Sequence, residues 1–296
     1  MSMQKNDHYK GVLLTIISSF SFAVMQLFAA LTGEEISVIE QLFFRNLLGL
    51  FVVGVFAYRH HIPFYGERKY RFPLLLRSAS GFLSVILLFY ASRNAVQADV
   101  TILSRMSMFT ISAVSVLFLH EKLTKIHIPV MILAFSGACI AANPRFDSSF
   151  LPLLAAFGTA VLDSICYPTI SYLSDKVNSV TVVMFFCTFS TVASIPLMLP
   201  VFVLPTGRNL LCLLMIGAFA AIGQITMTLS YRWAPAGELS IYNQISILFS
   251  AALGYLFLNQ LPSVRTIAGG ALVIFASLVL FSCKQRSVPK SRGQHL

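Results

Sequence analysis

The sequence predicts an all-α polytopic membrane protein, with ten transmembrane helices arranged as two inverted five-helix repeats. Three observations carry this. Of the 296 residues, 57% are hydrophobic and only 11% charged, against about 25% charged in a soluble domain. Apolar runs of about 17 to 25 residues, each able to cross roughly 30 Å of hydrocarbon as a helix, recur along the chain. The chain also matches itself at a fixed offset.

The spans fall at residues 11–31, 38–58, 73–92, 99–119, 126–143, 150–173, 179–203, 209–230, 238–258 and 264–283, with short connections and no stretch left for a soluble domain. Span 1 begins after Lys10 without a small-residue cleavage site, so it reads as a retained helix rather than a signal peptide. Spans 2, 3 and 4 each enclose arginine, at Arg45, Arg77 and Arg105. Span 5 carries a small-residue face, Ala134, Gly137, Ala138 and Ala142. Span 6 holds Asp163 and then Pro168, which frees a backbone carbonyl and can break the helix. Span 7, with Pro196 and Pro200, reads as bent. Span 8 holds Gln224 and Thr228, and span 9 opens with the polar run Tyr242-Asn243-Gln244. Span 10 has Gly269-Gly270, and together with span 5 it is expected to serve as scaffold and as a homodimer contact.

Charge sets the orientation. With the N-terminus cytoplasmic, the inner segments hold fifteen of the 21 lysines and arginines, counting Arg77 as a topology anchor beside the basic loop at Arg68, Lys69 and Arg71. The outer segments hold only Arg93, Arg145, Arg208 and Arg265, and Arg45 and Arg105 lie inside spans. Both termini are therefore expected in the cytoplasm of a cell bearing the chain in its cytoplasmic (inner) membrane. The net charge of +10 is explained by topology and by contact with the anionic lipid bilayer. No basic patch with interleaved aromatics points to nucleic acid. The five cysteines are scattered without CxxC spacing, and the histidines form no HExxH. Neither metal, cofactor nor enzymatic activity is expected.

At offset 139, SRNAVQADVTI (92–102) lies over YRWAPAGELSI (231–241), and LFLHEKLT (117–124) over LFLNQLPS (256–263) without a gap. At offset 142, SVIEQLFFR (37–45) lies over SVTVVMFFC (179–187). The halves are assigned to residues 1–146 and 147–283, followed by a basic cytoplasmic tail at 284–296. Five spans is an odd number, so the second half sits upside down, and substrate is expected between the halves near the midplane.

These segments, with FFRNLLG (43–49), FYASRNAVQADVTIL (89–103) and SYRWAPAGELSIYN (230–243), resemble the EamA-type transporters of the drug/metabolite transporter superfamily over essentially the whole chain. That family often has Gly-Glu where this chain has His120-Glu121 and Asn259-Gln260. The resemblance implies the ten-helix fold and transport, and it leaves the substrate open.

An ionised group at mid-bilayer costs about 2.5 to 3.5 kcal/mol, so each should face the interior with a partner or a role. Arg45 is expected about 10 Å below the outer surface, with Arg105 at similar depth, both facing an outward cavity. Arg45 either binds substrate or pairs with Glu40. Arg105 either binds substrate or pairs with Asp163, whose own alternatives are neutralising an arginine and taking up a proton. Gln244, the inverted mate of Arg105, is expected to complete the site with Asn243, Tyr242, Gln224, Tyr90, Ser84 and Gln26. The expected function is secondary transport of a small anionic or zwitterionic metabolite carrying a carboxylate, amino acid or phosphate group. Two alternatives stand beside it. One is an exchanger or exporter of cationic, drug-like or nucleoside-type compounds such as S-adenosylmethionine. The other is a scaffold or lipid-handling subunit whose charges pair fully and close the centre.

Overall fold

A computed structural model describes residues 2–32, 36–64, 66–121, 125–146, 148–205, 207–259 and 263–287. The helices are α1 (Ser2–Leu31), α2 (Val38–Arg59), α3 (Arg71–Asn94), α4 (Gln97–Arg105), α5 (Ser107–Leu119), α6 (His127–Ala142), α7 (Phe150–Leu173), α8 (Ser179–Met198), α9 (Gly207–Ser230), α10 (Ala236–Tyr242), α11 (Ser246–Leu258) and α12 (Val264–Ser287). Among the described residues, nine stretches are long and apolar enough to cross a membrane. The fifth expected span is the exception. At 16 residues, α6 measures about 24 Å, short of the roughly 30 Å hydrocarbon core. Large apolar side chains such as Phe51, Phe118 and Phe150 point outward, as a lipid-facing surface requires and a water-facing one would not tolerate in such number. The expected basic tail lies outside the described residues from residue 288 onward.

Two spans are broken, and proline does not break them. α7 runs unbroken through Pro168, and α8 through Pro196 before it tightens into a 3-10 turn at Leu199–Val201. Span 4 instead breaks at Met106, between α4 and α5, and span 9 at a 3-10 turn over Asn243–Ile245, between α10 and α11. At offset 139 these two breaks coincide. Both keep right-handed dihedrals, with Met106 at φ −59°, ψ −14° and Asn243 at φ −62°, ψ −20°. Each is therefore a local tightening, the form of mid-helix irregularity that marks hinges.

Helix packing obeys the same symmetry. α1 packs on α9 as α7 packs on α3, α5 on α7 as α11 on α1, and α2 on α9 as α8 on α3, while α2–α8 and α6–α12 are self-mated pairs. The matched acids Asp99 and Glu238 are both fully buried. Asp99 accepts from the Arg145 backbone N–H at 2.8 Å and the Ser148 hydroxyl at 3.4 Å, pinning the segment that leads into α7. Glu238 meets His8 Nε2 at 2.5 Å, holding the start of α1. Each half thus anchors the entry of the other half's first span.

The corner after span 4 now has a structural explanation. α5 ends at His120 with φ 53° and α11 at Asn259 with φ 52°, the left-handed conformation that closes a helix and suits glycine. Glu121 then turns back to accept from the Ala236 and Gly237 N–H groups at 3.1 and 3.3 Å, where α10 begins, and from Ser171 Oγ at 3.2 Å. Residues 122–124 and 260–262 lie outside the described chain.

The small-residue faces of α6 and α12 meet each other within one chain. A Cβ on Gly269 would come 2.3 Å from the Gly137 carbonyl oxygen, and one on Gly137 2.7 Å from that of Gly269. Such an approach is open only to glycine, and it places both helices as a joined strut beside the two broken spans.

Candidate binding cavity

A cavity of about 1280 Å³ lies between the halves. It opens at the end of the molecule where Val38 and Arg93 are exposed, and descends to Arg77, Gln224 and Met227, all buried. The opposite end is closed. There the rings of Tyr167 and Tyr231 stack with centroids 6.0 Å apart, the His8–Glu238 contact pins α1 to α10, and Lys10 lies 5.0 Å from the Trp233 ring centre.

Arg105 ends α4 at the break and lines the cavity. Its Nη1 donates to Gln244 Oε1, and Gln244 Nε2 donates onward to the Ser240 carbonyl at 3.2 Å. The inverted mates therefore touch. Two residues separated by the repeat offset can do so only near the pseudo-twofold axis, where each half presents the same position to the other. Arg105 Nε is buried without a partner.

Arg45 lines the cavity from α2, with its guanidinium 5.8 Å from the Phe22 ring centre. It does not pair with Glu40. The two are five positions apart on one helix, about 140° around the axis, whereas neighbours on a face are three or four apart. Glu40 is fully buried and turns toward the Val203 N–H, 3.2 Å away. It is accordingly removed from the cavity. Asp163 lines the wall from α7 and accepts from Ser84 Oγ on α3 at 2.7 Å. Among the described residues it makes no ion pair with any arginine. Asn243, at the second break, lines the cavity and accepts from Ser19 Oγ at 2.9 Å. Gln26 and Gln224 also reach the wall.

Three other expected residues do not line it, and of these Gln244 is buried behind Arg105. Tyr90 is 42% exposed on the outer surface, because it sits about 200° around α3 from Ser92, which lines the cavity. Tyr242 is packed into the main apolar core with Met108, Ile111 and Leu239.

Arg77 is the residue whose place the sequence concealed. It is not a surface anchor: it is 1% exposed, lines the cavity, donates through Nη2 to Gln224 Oε1 at 3.0 Å and lies 3.8 Å over the Phe186 ring. Its Nε and Nη1 are buried without partners. The available signal was its position inside α3, six residues past the helix start, too deep for a side chain at the head-group level.

The wall therefore carries four guanidiniums, Arg93 at the rim and Arg45, Arg77 and Arg105 within, and one carboxylate, with no ion pair among them in the described residues. Such an arrangement can hold an anion by forked hydrogen bonds.

Comparison with known proteins agrees with this architecture. The sequence matches the EamA-like transporter family twice, over residues 9–143 and 150–282. It is 30% identical over 285 residues to the pseudopaline exporter CntI of Pseudomonas aeruginosa, covering 93% of this chain and 97% of that one. It is 25% identical to human solute carrier family 35 member G1, over 91% of this chain and 78% of that one. It is 23% identical to an S-adenosylmethionine uptake transporter of Rickettsia bellii, over 94% of each. A solved crystal structure superimposes with a TM-score of 0.80 at 16% identity, covering 98% of this chain and all of the other. That likeness speaks to the fold alone. With the family matched in both halves of a doubled, membrane-spanning bundle, this chain belongs to the EamA-like transporter family.

Proposed function

We propose that the protein is a secondary transporter that carries a small anionic or zwitterionic metabolite across the cytoplasmic membrane by alternating access, without ATP and without enzymatic chemistry. The observation that carries this reading is the surplus of positive charge in the cavity. The cations Arg45, Arg77 and Arg105 outnumber Asp163 in a partly desolvated space and gain most from an anionic guest. S-adenosylmethionine carries a sulfonium cation, which three guanidiniums repel, so the cationic alternative is the weaker one. A scaffold would pair its charges and close its centre, whereas the cavity is open and, among the described residues, its arginines make no ion pair.

The positive-inside bias supports an orientation with both termini cytoplasmic. In it the cavity faces outward and the Tyr167–Tyr231 stack forms the inner closure. The two repeats, residues 1–146 and 147–283, would exchange access by rocking about the paired breaks. In proteoliposomes, Arg105→Ala in correctly inserted protein is expected to abolish uptake or efflux of the substrate. Unchanged transport kinetics in that variant would sink the assignment.

A further inference from the structure

We infer that the floor of the cavity is a site for an α-amino-carboxylate group: Arg77, held by Gln224, takes the carboxylate and Asp163, held by Ser84, takes the amine, while Arg45 and Arg105 take a further acidic group. The inference rests on the transporter reading above and narrows its cargo to an amino-acid-type compound bearing at least one additional acid.

Arg77 runs along α3, so that its Nη1 lies 3.5 Å from where a Cβ on Gly81 would stand. Ser84, whose hydroxyl holds the Asp163 carboxylate, is three residues further along the same helix, about 4.5 Å of rise. The guanidinium and the carboxylate thus face one cavity about a turn apart, each fixed by its own neutral partner, and they do not pair with each other. Opposite charges held apart in this way leave room for a group that presents an anion and a cation close together, as an amino acid does.

The site is built to hold its guanidinium still. Phe186 stacks on it at 3.8 Å, Gln224 fixes Nη2, and Gly81 leaves the space in which it lies; a Cβ there would also meet Cys166 Sγ at 3.2 Å. The residue is 1% exposed, yet Nε and Nη1 have no acceptor. A carboxylate fork on one edge of the guanidinium would satisfy one of these two donors together with the second hydrogen of Nη2. A phosphate or carboxylate at Arg105 and Arg45 accounts for the other two cations inside the rim, which Arg93 marks.

The test uses the full chain purified in detergent, with thermal unfolding measured in L-glutamate, N-acetyl-L-glutamate, glutarate and citrate, and counterflow of each in proteoliposomes. L-glutamate is expected to stabilise the protein at concentrations about tenfold or more below those needed for N-acetylglutamate or glutarate, which lack the free amine. Asp163→Asn should erase that preference while leaving glutarate binding in place. Arg77→Lys, which keeps the charge and removes the fork, should weaken glutamate and glutarate together. Arg105→Ala should weaken all the anions but keep the ranking. A wild-type protein indifferent to the amine, or an Asp163→Asn variant that still prefers glutamate, overturns the floor site. Citrate counterflow that depends on Arg105 with no preference for glutamate refutes the floor site and leaves the transporter reading intact. If no compound stabilises or exchanges, both fall.

Discussion

Across the pseudo-twofold axis the two halves share a backbone and differ in charge. Arg105 meets Gln244, its own mate, and Arg45 corresponds to Cys187 at offset 142. The first half supplies the guanidiniums of the cavity, Arg93 at the rim and Arg45, Arg77 and Arg105 within, while the second supplies the amides of Gln224 and Asn243 together with the lining acid, Asp163; Gln244 stands behind Arg105. The structural acids do not follow this division, since Asp99 and Glu238 are matched and both buried. The repeat therefore preserves what builds the fold, and the halves differ where they line the cavity. An inverted repeat needs equivalent packing to rock between two states. It does not need equivalent chemistry, and a charged residue near the axis moves least when the halves rock.

The sharpest way to break this asymmetry is to make the axis symmetric. Gln244→Arg would place a second guanidinium against Arg105 at a position only 4% exposed. Two like charges about 4 Å apart repel by about 4 kcal/mol at an effective dielectric near 20. The expected outcome is a large loss of thermal stability, with transport abolished. The exchange Arg105→Gln with Gln244→Arg restores one guanidinium and one amide across the axis and should recover most of the stability. If Gln244→Arg unfolds at the wild-type temperature, the two side chains do not meet as described.

The halves also show what the sequence could reveal. Hydropathy located the membrane-spanning segments, because roughly 20 apolar residues have few other uses. The offset of 139 located the axis, and with it the Arg105–Gln244 pair. The breaks themselves were hidden: prolines at 168 and 196 drew attention to α7 and α8, which stay continuous, while Met106 and Asn243–Ile245 contain neither proline nor glycine. A 3-10 tightening within right-handed dihedrals costs little and leaves no mark in composition. Arg77 was hidden for another reason. It follows a cluster of exposed basic residues at Arg68, Lys69 and Arg71, so its charge read as part of the topology signal, and only the structure shows it turned inward beneath Phe186. Tyr90 failed as a cavity residue because hydropathy locates a span without fixing its rotation.

A smaller effect separates Arg45 from Arg105. Among the described residues the ring of Phe22, at 5.8 Å, is the contact on the Arg45 guanidinium, whereas Arg105 is fixed by Gln244. A cation–π contact at that range is worth about 0.5 to 1 kcal/mol, so Arg45→Gln should barely change the unfolding temperature. Losing one charged hydrogen bond to an anion is expected to raise the apparent KM about tenfold or more while leaving transport measurable, in contrast to Arg105→Ala. Equal loss in both variants would mean that the two guanidiniums act as one unit and that the axis position has no special weight.

The smallest effect lies where the halves differ least. His120 and Asn259 end α5 and α11 in the same left-handed conformation, at φ 53° and 52°. For an L-residue that conformation costs about 1 to 2 kcal/mol, and asparagine bears it more easily because its short amide can bond locally. Glycine removes the strain but gives back about 0.4 to 1 kcal/mol through the freedom of the unfolded chain. The balance is expected to favour His120→Gly by about 0.5 kcal/mol and to leave Asn259→Gly close to neutral, both read as shifts in thermal unfolding. Both side chains are exposed, so little packing is lost at either site. Equal stabilisation at the two corners would show that asparagine gains nothing from its amide there, and that the corner's difference between the halves is one of residue identity without energetic consequence.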